Sequence, residues 1–187
     1  MIKLPRSRKA KKPTFNDMQL LELRKAADAG DKWAGTIMIL NYTGMRPQEM
    51  LILTRFNVDA KTWVITGGIK TDAGRDRVMP VNPKIQPYIN YWLENPGPTL
   101  IHRDGKPMSV DYYRKHIFYP TLERLGIDYK THGLTPYSCR HTFATLLNRA
   151  GANKKSIQEL MGHEDYSTTA GYTHPDLSEL REAVNLL

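Results

Sequence analysis

Cysteine is nearly missing from this 187-residue chain, where Cys139 stands alone. That excludes an internal disulfide framework and fits a reducing compartment, so the cytoplasm is the expected location. Long hydrophobic runs are missing too. No stretch approaches the roughly 18 apolar residues of a membrane span, and the opening Met1-Ile2-Lys3-Leu4-Pro5 lacks the apolar centre of a secretion signal. Histidine and cysteine do not recur at paired ligand spacings: Cys139, His141, His163 and His174 form no metal-binding pattern, so neither a metal nor another cofactor is expected. Acidic residues are scarce beside basic ones, 19 against 27, which leaves a formal net charge of +8. A balance of that sign points to a polyanionic partner.

What is present fits one domain, since 40% hydrophobic residues in a chain of this length can fill a single core. Residues 1–13 stand apart. They carry Lys3, Arg6, Arg8, Lys9, Lys11 and Lys12 together with Pro5 and Pro13, and read as an extended basic segment rather than a packed element. Beyond Pro13, Thr14 or Asn16 can cap a helix carrying Leu20, Leu21, Leu23 and Ala27, with Gly30 ending it. Trp33, Ile37 and Leu40 keep helical spacing up to Gly44, and Pro47 opens a further helix at its favoured first position. Trp63 to Thr66 and Arg77 to Val81 read as antiparallel strands around a turn containing Asp72 and Gly74. Helices are expected near Pro83–Glu94, Ser109–Leu125, Ser138–Ala150, Asn153–Met161 and Asp176–Leu187. The fold class is therefore α+β: a mainly helical domain with a small antiparallel sheet.

Four motifs carry chemistry. They are Thr43-Gly44-Met45-Arg46-Pro47-Gln48-Glu49; Gly68-Ile69-Lys70-Thr71 followed by Arg77-Val78-Met79-Pro80-Val81; Thr135-Pro136-Tyr137-Ser138-Cys139-Arg140-His141-Thr142; and the run from Gly162-His163 to Gly171-Tyr172. Together and in this order they resemble the tyrosine recombinases of the phage integrase family, from about Phe15 to the C-terminus. The resemblance implies the catalytic domain of a DNA strand-exchange enzyme over residues 14–187. It also implies that residues 1–13 form an interdomain linker lying along DNA, and that the family's N-terminal DNA-binding domain is absent.

Each residue also has a plainer reading. At 100° per residue, Cys139, Phe143, Leu146, Leu147 and Ala150 form an apolar arc that takes in Arg140. An inward guanidinium needs a partner, either a buried carboxylate or a phosphate held in bidentate fashion. Arg46, at a helix junction, either caps carbonyls and pairs with Glu49 or, as the resemblance implies, contacts the scissile phosphate with Glu49 in support. Lys70 precedes a hairpin turn where most lysines are merely solvated. The resemblance makes it the general acid, although Lys61 and Lys84 lie nearby. His163 either interacts with a helix C-terminus or, as the resemblance implies, donates to a non-bridging phosphate oxygen. Tyr172, in a polar run, has little to pack against and suits an accessible nucleophile. One departure stands out: three residues before Arg140 the family usually has a histidine, whereas this chain has Tyr137, a poor base near neutral pH. His141 belongs to the same box, in an orienting role.

The implied mechanism is site-specific recombination through a 3′-phosphotyrosyl intermediate, serving integration and excision of a mobile element of phage or transposon type. Double-stranded DNA is the partner, on which the full-length protein assembles as a tetramer. A type IB topoisomerase and a non-catalytic DNA-binding module are the competing readings. A last apolar stripe, Leu177, Leu180, Val184 and Leu187, is placed either against its own domain or against a neighbouring protomer.

Overall fold

The computed structural model describes residues 12–67, 77–162 and 176–187. Helix α1 (Asp17–Asp28) starts at Asn16, whose side chain accepts from the Gln19 N–H while the Gln19 side chain accepts from the Asn16 N–H, both at 2.9 Å. Two orphan donors of the first turn are thereby satisfied. Helix α2 (Lys32–Thr43), capped by Asp31, is buried at every position from Ala34 to Thr43. A helix apolar all round belongs at the centre of a domain, and α2 packs against α1, α4 (Gln86–Glu94) and α8 (Pro136–Arg149). It ends at Gly44 in the left-handed conformation, φ +64°. A Cβ there would stand 2.3 Å from Cδ1 of Phe143, so glycine is required both by the backbone and by close approach to α8.

After Gly44 the chain turns into α3 (Pro47–Ile52), with Pro47 at its first position. Three short strands follow, β1 (Val58–Asp59), β2 (Val64–Thr66) and β3 (Val78–Pro80), in an antiparallel sheet of order β1-β2-β3. Ile65 pairs with Met79 and Val58 with Ile65. The Gly67 N–H donates to the Arg77 carbonyl at 3.1 Å, joining the two sides of the β2–β3 hairpin at its base. The turn residues Asp72 and Gly74 lie outside the described residues. β1 was not expected, because two residues leave no periodicity to read.

The expected single helix over Ser109–Leu125 is divided. α5 (Val110–Tyr113) passes through a π-helical turn, Arg114–Phe118, into α6 (Tyr119–Arg124). Pro120 supplies the reason: it has no N–H for the carbonyl four residues back and its ring crowds that carbonyl, which a widened turn accommodates. The first residues of the expected Pro83–Glu94 helix form a 3-10 turn, Pro83–Ile85, and a short α7 (Tyr129–His132) appears before α8. Helices α9 (Lys154–Met161) and α10 (Leu177–Asn185) complete the described fold.

The core lies around α2, with a second apolar cluster made by Phe143, Leu147, Leu160, Met161, Leu180, Ala183 and Val184. Burying each large side chain of that cluster contributes about 1.5–3 kcal/mol. On α8, Cys139, Phe143 and Leu147 are fully buried as their arc implies, whereas Ala150 at its end is exposed. Of the C-terminal stripe, Leu180 and Val184 are buried against the chain's own domain and Leu177 is exposed. Three bonds hold α10 there: Asn82 donates to the Val184 carbonyl at 2.7 Å, Arg181 to the Thr62 carbonyl at 2.7 Å, and the Lys84 ammonium to the Leu187 carbonyl.

Candidate active site

Helix α2 ends, α3 begins, α8 passes behind and α9 stops at one place, and four charged side chains meet there. Arg46 is the N-cap of α3. Its backbone N–H donates to Oε2 of Glu49 at 2.7 Å and its Nη1 to Oε1 at 2.9 Å. The plain reading of Arg46, pairing with Glu49, is thus realised, and it leaves the Arg46 side chain about one-third exposed beside a carboxylate that is almost fully buried. Both Glu49 oxygens accept hydrogen bonds, while the Arg46 side chain remains partly open to solvent.

Arg140 sits on the buried face of α8 at 7% exposure. No carboxylate meets it among the described residues. Instead Nη1 donates to the Gly44 carbonyl at 2.7 Å and Nη2 to the Met161 carbonyl. Arg140 therefore clamps the C-terminal ends of α2 and α9, where unpaired carbonyls carry partial negative charge. Burial, then the fields of Arg46 and Arg77, push its pKa down to about 10. It is cationic at neutral pH: the field of Glu49 acts against its burial, and its direct hydrogen bonds go to helix-end carbonyls. Such a cation keeps its charge available to an incoming anion.

Arg77 is the residue that the sequence reading passed over. The motif that contains it points to Lys70 and implies no role for Arg77. In the structure its side chain is 3% exposed and Nη2 donates to Oε2 of Glu49 at 3.1 Å. The signal was there: with period two along β3, Arg77 shares a face with Met79 and Val81, both 1% exposed. A charge on a buried strand face needs a partner. Burial lowers the Arg77 pKa and Glu49 acts against that. Glu49 itself is pushed up by burial, but Arg77 and the Arg46 donors outweigh this and hold its carboxyl below the ordinary glutamate value. Three guanidiniums thus gather about one buried carboxylate.

Tyr137, in the first turn of α8 next to Pro136, is 48% exposed. His141 is half-buried, and burial, Lys12 and Arg140 all hold its pKa below the ordinary histidine value. Lys12 is the only member of the basic segment among the described residues, and it is exposed. Lys3, Arg6, Arg8, Lys9 and Lys11 lie outside them, as do Lys70, His163, Tyr172 and His174. Of the two lysines close to Lys70 in sequence, Lys84 is engaged with the Leu187 carbonyl, and Lys61 is exposed in the β1–β2 turn. The described residues contain no group of three or more histidine, cysteine or acidic side chains arranged to hold a metal ion. They also contain no helix long and apolar enough to cross a membrane.

A mainly helical domain with a small sheet presents arginines from a helix junction and from a buried helix face, a donor set chemically suited to an anion such as phosphate. The family model described as the phage integrase family matches residues 15–179, and the chain belongs to that family. Among curated relatives, the tyrosine recombinase XerD of Staphylococcus saprophyticus is 30% identical over 181 residues, covering 90% of this chain and 59% of that protein. Among solved structures, XerA recombinase superposes with a TM-score of 0.71 at 26% identity, covering 90% of this chain and 62% of that one. The Tn1549 transposon integrase, in complex with transposon right end DNA, superposes with a TM-score of 0.67 at 24% identity, covering 92% of this chain and 65% of that one. The chain spans about three-fifths of the length of the first two. The family and the fold expected from the motifs are both borne out.

Proposed function

We propose that this chain is the catalytic part of a tyrosine site-specific recombinase that cleaves and rejoins double-stranded DNA. The observation that carries the reading is the arginine cluster, with Arg46 open to one side, Arg140 spanning two helix ends, and Glu49 holding Arg46 from behind. A pentavalent phosphorane spreads negative charge over non-bridging oxygens, and preorganised cations stabilise it most where water is excluded. Tyr172 is the nucleophile. Its phenol releases its proton to solvent as the oxygen attacks phosphorus, the bond from phosphorus to the 5′-oxygen breaks, and Lys70 protonates that oxygen. Arg46, Arg140 and His163 neutralise the phosphate, and Tyr137 donates one hydrogen bond where the family usually has histidine. A second 5′-hydroxyl attacks the 3′-phosphotyrosine, so the bond energy is retained and no nucleotide is consumed. The basic residues from Lys3 to Lys12 lie along the DNA as a linker. Four copies of the full-length protein assemble on DNA, and the exchange integrates or excises a mobile element.

The test uses a pool of nicked duplexes, in which a cleaved strand cannot be rejoined. A denaturation-resistant protein–DNA adduct is expected with the unaltered chain and is lost in Tyr172→Phe, with binding retained. An adduct of ordinary yield from the Phe variant would reject the nucleophile. Relaxation of supercoiled DNA without strand exchange by the full-length protein would reject recombination in favour of a topoisomerase.

A further inference from the structure

Arg77 lies between two things that the reaction needs. On one side it holds Glu49, which in turn holds both the backbone and the guanidinium of Arg46. On the other it lies under the end of α9. A Cβ built on Gly162 would meet Arg77 Nη1 at 2.9 Å and Cδ at 3.3 Å, so the chain leaves α9 directly over this guanidinium. Gly162 has φ +57°, the left-handed backbone that favours glycine. Arg140 fixes the residue before it through the Met161 carbonyl. Arg77 also immediately precedes β3, and its carbonyl accepts from the Gly67 N–H that follows β2. The end of α9, the start of α3 and the base of the hairpin therefore converge on one side chain.

Its donor inventory is unbalanced. A guanidinium offers five N–H groups, and Nε and Nη1 of Arg77 are buried with no hydrogen-bond partner among the described residues. A buried charge with unspent donors is costly if its only task is to balance a carboxylate, since an apolar pair of similar volume is often neutral or better. The arrangement becomes sensible when the second guanidinium sets the orientation of the first.

We propose that Arg77 is a positioning residue of the phosphate site: it fixes Arg46 through Glu49 and seats the end of α9 at Gly162, so that both lie in register with Arg140 when a phosphate enters. The inference rests on the function proposed above and assigns a residue to which that mechanism gave no part. Arg77 does not touch the phosphate. Its side chain is too deeply buried, and the exposed guanidinium of the pair is Arg46.

Two variants test it, Arg77→Met and Arg77→Lys. The second retains a cation opposite Glu49 and so keeps the fold if the first does not. On the nicked duplex that forms the adduct, single-turnover cleavage should fall about 10- to 100-fold for Arg77→Met, the usual range for a residue that orients a reacting group, and less for Arg77→Lys. The decisive comparison replaces the scissile phosphate by an uncharged methylphosphonate. If Arg77 acts by aiming Arg46 at phosphate charge, the loss should shrink several-fold on that substrate. A merely structural role slows both substrates equally, and that result would overturn the proposal. A second measurement needs no cleavage: titration of inorganic phosphate, followed through the Arg46 and Arg140 guanidinium resonances. Saturable shifts are expected in the unaltered chain, with affinity weakened about 10-fold in Arg77→Met. Equal phosphate affinity in the unaltered chain and both variants, or no saturable shift in the unaltered chain, would overturn it. Absence of an adduct on every duplex would reject the proposed function instead, and the phosphate titration would still decide the role of Arg77.

Discussion

The carbonyl of Gly44 accepts a hydrogen bond from Nη1 of Arg140 at 2.7 Å, joining two arginine motifs that lie 96 residues apart in the chain. The same glycine meets Phe143, one turn further along α8, so close that a methyl group would overlap its ring. The corner that carries Arg46 is therefore fixed to the helix that carries Arg140 by one polar and one apolar contact.

Replacing Gly44 by alanine should destabilise the fold by about 2–4 kcal/mol, combining the left-handed backbone penalty with overpacking against Phe143. Gly151 is the control. It has φ +81° but open space where a Cβ would stand, so its alanine variant should lose only about 1–2 kcal/mol. Urea unfolding of both variants checks the difference, and equal losses would mean that the Phe143 contact contributes nothing.

For Arg140 the expected result is that lysine does not replace arginine. An ammonium keeps the charge but cannot span the Gly44 and Met161 carbonyls while also presenting donors to phosphate. Adduct formation by Arg140→Lys should fall about 100- to 1,000-fold, the range for loss of a preorganised donor to a developing oxyanion. Cleavage within a fewfold of the unaltered rate would show that charge alone suffices there.

Glu49 makes stability depend on acid in a definable way. Its folded pKa lies below the ordinary value of 4.5, so its contribution is fully present above the unfolded pKa and is lost as pH falls through the lowered folded value. Glu49→Gln should therefore be least stable relative to the unaltered chain near neutrality. The gap should narrow as pH falls through the lowered folded pKa, because the unaltered carboxylate is then itself protonated. Thermal unfolding at a series of pH values measures this, and a gap independent of pH would rule out the ionised pair as its source.

Tyr137 is half exposed, and the proposed mechanism makes it a hydrogen-bond donor to phosphate rather than a proton acceptor. Loss of its hydroxyl in Tyr137→Phe should cost about 1.5–3 kcal/mol, or roughly 10- to 150-fold in cleavage rate. Tyr137→His should match or exceed the unaltered rate and add a pH dependence near 6.5. A Phe variant as inactive as Tyr172→Phe would give the phenol an essential proton-transfer role.

Metal independence is the fifth expectation. In the proposed mechanism Arg46 and Arg140, together with Lys70 and His163, supply the positive charge that many phosphoryl-transfer sites draw from a divalent ion. Cleavage should persist in excess chelator, and activity lost there but restored by added magnesium would contradict this.

Much of the architecture was legible in sequence because short-range rules write it. Asn16 and Gln19 form a reciprocal cap, Pro47 fixes where α3 begins and so leaves Arg46 at a junction, and the 3.6-residue period turns Arg140 inward. These are properties of neighbours a few residues apart, and they hold wherever the segment finds itself. The motif order likewise identified the family without reference to any contact.

Only the tertiary structure decided which partner each buried charge takes. Sequence offered Arg140 a carboxylate or a phosphate, and the fold gave it two helix-end carbonyls, while the buried carboxylate bridge went to Arg77, a residue read only as part of a strand. The C-terminal helix had two possible seats and took the one on its own domain. The reason is the range of the forces involved. Capping and periodicity act over one or two turns, but the neighbour of a buried guanidinium depends on which elements cross it in space. Here those crossings join residues 21, 28 and 96 positions apart.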